Sequence, residues 1–237
     1  MNLSRKKKPL YLQIKNIVKD RILHGMYPLG SNIPSEPQLE AEFQVSKITV
    51  RNAIKELAQE GYLETSSGKG TKVIRNTSAS KLSKWKRFTE QLVEEGHSIR
   101  KQLIKAEAIR NAEGSEPFRW FGEVCYGIER MYLLDGEPYI HFTHYLTKRM
   151  NSLESSDLSG ESLYNLIEEQ DISLEKYRDE FAVAIAPAYI ADALRVQEGA
   201  PLLKRTRYSY ADTGDVVEYS IGYYNTELHQ YVVNYDV

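Results

Sequence analysis

Apolar residues recur at helical spacing along the front of the chain and at alternating spacing through most of the rest. Leu10, Ile14, Ile17, Val18 and Ile22 mark one face of a helix over residues 9–24, with Gly25 as its stop. Tyr27-Pro28-Leu29-Gly30 makes a turn before Ile33. Ser35 and Gln38 then form a capping-box pattern, Pro37 is tolerated in a first helical turn, and Leu39 and Phe43 share one face. The chain turns through Gln44-Val45, and Ser46 is placed to cap a third helix. In that helix Val50, Ala53, Ile54, Leu57 and Ala58 form a core stripe, while Lys47, Ile48, Arg51, Asn52 and Lys55 lie opposite and Gly61 supplies the stop.

Two short strands follow, 62–65 and 71–74, around the turn Ser66-Ser67-Gly68-Lys69-Gly70. Asn76-Thr77-Ser78-Ala79-Ser80-Lys81 is small, polar and without apolar period, which reads as a linker. Past it, 85–95 reads as a helix closed by Gly96, and the pattern changes to strands: 103–109, then 124–134 and 137–146 joined by Asp135-Gly136. Helices are expected at 163–169, capped by Ser162, and at 188–196, with a strand at 177–185 between them. A second hairpin, 202–211 and 216–225, turns at Asp212-Thr213-Gly214-Asp215, and a last strand is expected at 231–235. These patterns predict a mainly α first domain over 1–75, a linker at 76–84, and an α+β domain with an antiparallel sheet over 85–237.

Composition narrows the class. With 237 residues and 41% apolar content the chain suits two cores, and no stretch approaches the roughly 18 apolar residues of a membrane span. Met1 to Lys8 is basic but leads into an amphipathic helix, so no signal peptide is expected. The single cysteine, Cys125, rules out an intrachain disulfide framework and a thiolate metal cluster. A soluble, cytoplasmic protein is expected. The small net charge hides an asymmetry: 13 Lys and Arg stand against 7 Asp and Glu up to Arg75, and 18 stand against 26 beyond it. A basic front and an acidic rear point to nucleic acid at the front and another partner behind.

The third helix offers donors and cations on the face opposite its core stripe, which suits a DNA groove; the charge pattern alone equally fits a solvated surface helix. In the second domain, alternation places Val124, Tyr126, Ile128, Arg130 and Tyr132 on one face. An Arg on such a face is costly unless it meets an anion, pairs with a buried Glu or reaches the surface. His141 and His144 point to opposite faces of one strand, so they do not chelate together and read as ordinary strand residues. No nucleophile–base pair, phosphate loop or metal cluster is visible, and neither a catalytic residue nor a cofactor is expected.

The front of the chain carries, in order, Pro9-Leu10-Tyr11-Leu12-Gln13-Ile14, Pro34-Ser35-Glu36 with Leu39, Ser46-Lys47-Ile48-Thr49-Val50-Arg51, Leu57-Ala58-Gln59-Glu60-Gly61-Tyr62-Leu63 and Gly68-Lys69-Gly70-Thr71. On these motifs it resembles the GntR family of bacterial transcription regulators. It implies a winged helix-turn-helix that binds double-stranded operator DNA, with Ser35, Gln38, Ser46, Lys47, Thr49, Arg51, Asn52, Lys55, Lys69 and Gly70 as contacts. Lys47 stands where the family often has Arg, which implies an operator that departs from the common consensus, because Lys lacks the bidentate guanine contact.

In the rear, Phe88-Thr89-Glu90, Gly127-Ile128-Glu129-Arg130, Ser162-Leu163-Tyr164 and the run Leu194-Arg195-Val196-Gln197-Glu198-Gly199-Ala200-Pro201-Leu202-Leu203 follow in order. On these residues the rear resembles the UTRA effector-binding domain of HutC-type GntR members, whose fold is similar to chorismate lyase. The resemblance implies an effector site at Phe88, Arg130, Tyr132, Ser162, Tyr164, Lys176, Glu218 and Tyr224, with Arg130 and Ser162 holding an anion such as a sugar phosphate. Tyr132 occupies a position where relatives often carry a second Arg. The expected function is a metabolite-responsive regulator, a repressor acting as a homodimer. The alternatives are an enzyme of chorismate-lyase-like fold, or a constitutive DNA-binding protein whose rear domain only dimerises.

Overall fold

Helical spacing at the front and alternation behind separate in space as they do in sequence. The structure, a computed structural model, describes residues 9–66, 68–76, 88–152, 163–168, 170 and 172–232. Contacts divide it into two compact units at Arg100 and Lys101.

The first unit holds α1 (Leu10–Leu23), α2 (Glu36–Phe43), α3 (Lys47–Gln59) and the hairpin of β1 (Leu63–Ser66) with β2 (Gly70–Val73). The stripe read from sequence is the buried face of α3, Val50, Ala53, Ile54 and Leu57, and it packs on Ile14, Ile17, Val18 and Ile22 of α1. A fully buried Val or Leu stabilises by roughly 1.5–3 kcal/mol relative to exposure, so this stripe fixes α3 against α1. Between α2 and α3 the chain reverses at Gln44, whose φ of 54° is left-handed. Residues 30–33 run beside β2: the Ile33 N–H donates to Thr71 O at 2.9 Å and the Val73 N–H to Ser31 O at 2.9 Å, giving the hairpin a third edge. Glu60 ties the α3 terminus to α1 by accepting from Lys15 at 2.9 Å and Lys19 at 2.7 Å. Burial pushes the Glu60 carboxyl up, and those two ammonium groups more than reverse it.

A fourth helix, α4 (Phe88–Glu94), belongs by its contacts to this first unit, although the sequence places everything from 85 onward in the second domain. Val93 lies against Gly25, and the Ile99 N–H donates to His24 O at 2.9 Å. Gly25 has φ 72°, and a Cβ there would stand 2.7 Å from His97 O, so a side chain would push this segment off the end of α1. Of the expected linker at 76–84, residues 77–84 lie outside the described residues.

The second unit is a six-stranded sheet in the order β3-β4-β5-β8-β7-β6. The strands are β3 (Ile99–Arg110), β4 (Val124–Leu134), β5 (Glu137–Leu146), β6 (Leu174–Ile185), β7 (Pro201–Ala211) and β8 (Val216–Tyr224). All four pairings from β4 across to β6 are antiparallel. Asp135 (φ 49°) and Gly136 (φ 96°) give the β4–β5 hairpin the two left-handed positions that a tight two-residue turn requires. One face of the sheet carries α6 (Leu163–Glu168) and the 3-10 turn Lys148–Ser152; Leu163, Leu166, Ile167 and Met150 pack there on Tyr126, Ile128 and Leu146. The opposite face carries α7 (Ala188–Leu194), with Ile190, Ala191 and Leu194 on Met131 and Leu133.

Some expectations change. α5 (Glu116–Phe121) has no counterpart in the sequence reading, because six residues are too few to show a period; its start is fixed by Ser115, whose hydroxyl accepts from the Phe118 N–H at 3.3 Å. β3 starts at Ile99, four residues before the alternation becomes visible. The expected strand at 231–235 is absent at Tyr231 and Val232, and its remainder lies outside the described residues. No helix among the described residues is long and apolar enough to cross a membrane.

Candidate functional site

On the first unit, the positions opposite the α3 core stripe form an open surface. Lys47, Arg51 and Lys55 recur every fourth residue and are exposed, with Ser46 and Asn52 exposed beside them and Thr49 half-buried. Ser46 occupies the N-cap position in extended conformation, but its hydroxyl lies 2.8 Å from Thr49 Oγ1 and makes no cap bond to the backbone, contrary to the capping role read from sequence. Ser35 and Gln38 are exposed at the start of α2, where Gln38 Oε1 accepts from the Ser35 N–H at 2.8 Å. Arg51 donates through Nε to Glu36, at 3.0 and 3.2 Å. That leaves the four N–H groups of its terminal nitrogens without a partner among the described residues.

Lys69 and Gly70 sit exposed at the tip of the β1–β2 hairpin. The tip is anchored from behind by Asn32, whose Nδ2 donates to Lys69 O at 3.1 Å. Gly70 (φ 90°) approaches that same amide, and a Cβ would lie 3.2 Å from it. The hairpin therefore projects Lys69 from a fixed base.

On the second unit, the face under α6 carries charge that the sequence only partly disclosed. Register places Ile128, His144, Ser220, Arg207 and Asp179 in one row across the strands, and Arg130, Phe142, Gly222, Arg205 and Phe181 in the next. Glu218 and Ser209 adjoin on one side, Tyr132, Tyr224 and Leu203 on the other. Arg130 and Glu218 are both fully buried. Glu218 accepts from His144 Nδ1 at 2.8 Å and from the Ser209 hydroxyl. Burial alone would raise the Glu218 carboxyl, but bonds from His144 and Ser209 and the nearby Arg207 charge hold it down to about 2. Burial pushes His144 below the ordinary imidazole range despite the Glu218 bond, so a neutral ring donates Nδ1–H to an ionised carboxylate. The earlier reading of His144 as an ordinary strand residue is thereby corrected; that of opposite faces holds, since His141 meets Tyr189 of α7 at 6.1 Å.

Arg207 grips Asp179 with two bonds of 2.6 Å and donates to the Tyr164 hydroxyl at 2.9 Å. Tyr164 also meets Tyr177 edge-on at 5.6 Å, and Tyr132 meets Phe142 at 5.1 Å. Among the expected effector residues, Arg130, Tyr132, Tyr164, Glu218 and Tyr224 therefore share one face. Lys176 does not join them. Alternation turns it to the opposite face, exposed, with Nζ 5.6 Å from the Tyr210 ring. Ser162 lies outside the described residues, and so does the side chain of Phe88, the first residue of α4. His144, Asp179, Arg205, Arg207 and Ser209 were missed. Arg205, Arg207 and Ser209 at every second position of one strand were the available signal. A groove of about 410 Å³ opens at the far end of the same face, lined by Val183, Pro201, Leu202, Leu203, Thr226, Gln230 and Tyr231.

Comparison with known proteins agrees with both halves. The model of the family "Bacterial regulatory proteins, gntR family" matches residues 10–73, and that of the UTRA domain matches residues 94–230. The chain belongs to the GntR family of transcriptional regulators and carries a UTRA domain. It is 27% identical to the HTH-type transcriptional repressor NagR of Bacillus subtilis, over 98% of this chain and 97% of that protein. It is 31% identical to the protein of Shigella flexneri named "Probable fructoselysine utilization operon transcriptional repressor", over 85% of this chain and 84% of that one. The crystal structure of PhnF from Mycobacterium smegmatis shares the fold, with TM-score 0.52 at 22% identity over 92% of this chain and 95% of that one. This GntR-family regulator thus joins a winged helix-turn-helix to a six-stranded antiparallel domain.

Proposed function

We propose that the protein is a metabolite-responsive repressor that binds a pseudo-palindromic operator as a homodimer and releases it when a small effector occupies the UTRA domain. The observation that carries this reading is the exposed α3 face, where Lys47, Arg51, Asn52 and Lys55 stand clear of the core with Lys69 at the wing tip. Base contacts fall to Arg51, Asn52 and Thr49. Phosphate contacts fall to Ser35, Gln38, Ser46, Lys47 and Lys55, and Lys69 and Gly70 reach the minor groove. In the second unit, Arg130, Tyr132, Tyr164, Glu218 and Tyr224 hold the effector. A carboxylate kept ionised in a buried site suits hydroxyl or amine groups. The relative named for fructoselysine utilization supports a sugar-derived effector, with sugar phosphates and sugar–amine adducts as first candidates. The second copy docks at β6, the end strand of the sheet, where Phe181, Val183 and Ile185 are exposed.

Selection from a random-sequence DNA pool, followed by release assays with a metabolite panel, tests this. Enrichment of a two-fold site that one class of metabolite releases is the expected result. No enrichment would sink the DNA-binding reading. Enrichment without release by any compound would leave a constitutive binder whose rear domain only dimerises.

A further inference from the structure

One buried cation on the sheet face, Arg205, has no carboxylate bonded to it among the described residues. Arg205 is 8% exposed, and its guanidinium carbon lies 5.2 Å over the Phe142 ring and 5.5 Å over the Tyr224 ring. Among the described residues it makes no hydrogen bond and no ion pair. The two carboxylates described on this face are engaged elsewhere, Asp179 by Arg207 and Glu218 by His144 and Ser209. Two aromatic faces offset part of the burial of a guanidinium, but they supply no oxygen for its five N–H groups.

One row away, His144 is almost fully buried, and its Nε2 has no hydrogen-bond partner among the described residues. With Nδ1 committed to Glu218 as the donor, Nε2 is an acceptor that faces no donor. Among the described residues the face therefore holds a cation without an oxyanion and an acceptor without a donor. The open groove comes within one row of Arg205, at its strand neighbour Leu203.

We propose that Arg205 receives an oxyanion of the effector, a phosphate or a carboxylate, and that His144 Nε2 accepts a hydrogen from a hydroxyl or ammonium group of the same molecule. This rests on the reading of the second unit as an effector domain. It narrows the effector to hydroxylated or aminated oxyanions and adds two residues to those that bind it. It also accounts for an Arg205 without a carboxylate partner among the described residues, since an internal carboxylate would compete with the ligand for it.

The test is thermal melting of the full chain with inorganic phosphate, acetate or phosphoethanolamine, with retention of the selected DNA measured in parallel. Phosphate or acetate, whichever supplies the oxyanion, should raise the wild-type melting temperature in a saturable way. Arg205→Met should melt no lower than wild type without ligand and lose that increment, while still retaining DNA. Arg205→Lys keeps the charge but not the fork and should weaken the midpoint several-fold, which decides the matter if the Met variant does not fold. An undiminished increment in these variants, or no increment in wild type with any of the three, would overturn the Arg205 assignment while leaving DNA retention intact. For His144, phosphoethanolamine should stabilise wild type more than phosphate does, and His144→Phe should abolish the difference. An unchanged difference would remove His144 from the site.

Discussion

His144 Nδ1 lies 2.8 Å from Glu218 Oε1 on adjacent strands, and the two side chains are 7% and 0% exposed. The other Glu218 oxygen takes the Ser209 hydroxyl from the strand on the opposite side. The carboxylate is thus bridged between β5 and β7 across its own strand β8. An ionised group at this depth persists only because each oxygen has a donor.

This pair makes stability depend on pH in two stages. Burial holds His144 below its ordinary value of 6.5, so the unfolded chain binds more protons than the fold once pH drops below 6.5, and stability falls. Glu218 is held at about 2 against an ordinary 4.5, so its contribution is present above 4.5 and is lost as pH falls from 4.5 toward 2. A depression of that size corresponds to roughly 3 kcal/mol at full effect. Calorimetry should show a melting temperature that is flat above neutrality, declines below pH 6.5 and declines more steeply below 4.5. Glu218→Gln should remove the second stage at some cost in overall stability. A variant that kept the full acid slope would show that other carboxyl groups carry it.

In the proposed DNA complex Arg51 would exchange Glu36 for a base. Its bond to Glu36 is solvent-exposed, with Arg51 at 54% and Glu36 at 30% side-chain exposure, so losing it should barely move the melting temperature. Arg51→Ala should instead cost about 1–3 kcal/mol of affinity for selected DNA and relax preference at one base position, read by binding isotherms on single-base variants. Lys69→Ala should weaken all sequences alike and lower the slope of log affinity against log salt by about one. Equal, sequence-independent losses in both variants would reduce Arg51 to a phosphate contact.

The front unit was legible almost throughout, because its core stripe on α3 and its capping and turn residues are local signals. Its extent was not: α4 packs beside Gly25, a long-range contact that no local period announces. On the sheet, alternation placed Arg130 and Tyr132 correctly but could not say which strands lie side by side. The strand order puts β8 between β5 and β7, and only that order joins His144, Glu218 and Ser209. Lys176 shows the reverse failure, since a matching position in sequence fell on the wrong face of its strand.

Gly222 sets the packing of the candidate site. A Cβ at this position would stand 2.4 Å from Phe142 Cε1, and the ring is held edge-on between Tyr132 at 5.1 Å and Tyr224 at 5.7 Å. Gly222→Ala should therefore destabilise the second unit by about 1–3 kcal/mol through overpacking. Adding Phe142→Leu, which shortens the obstructing side chain, should recover part of that loss in denaturant titration. No recovery would mean that the strain lies in the backbone instead.

The end strand β6 gives the proposed homodimer its most direct test. It runs Leu174–Ile185 at the edge of the sheet, and its first half carries Arg178, Asp179 and Glu180 whereas its second half exposes Phe181, Val183 and Ile185. Val183 is 77% exposed and Ile185 66%, an apolar stretch on an open edge that monomeric proteins ordinarily guard with charge. A second copy related by two-fold symmetry would pair the edges and bury both stretches. Val183→Lys places a guarding charge at that position without touching the buried core. Light scattering should then show a monomer where wild type is a dimer, with unchanged melting of the isolated fold. Affinity for two-fold DNA should fall, because two tethered wings bind with an effective concentration that separate ones lack. A variant that stayed dimeric would move the interface away from β6, and a monomeric wild type would remove the homodimer altogether.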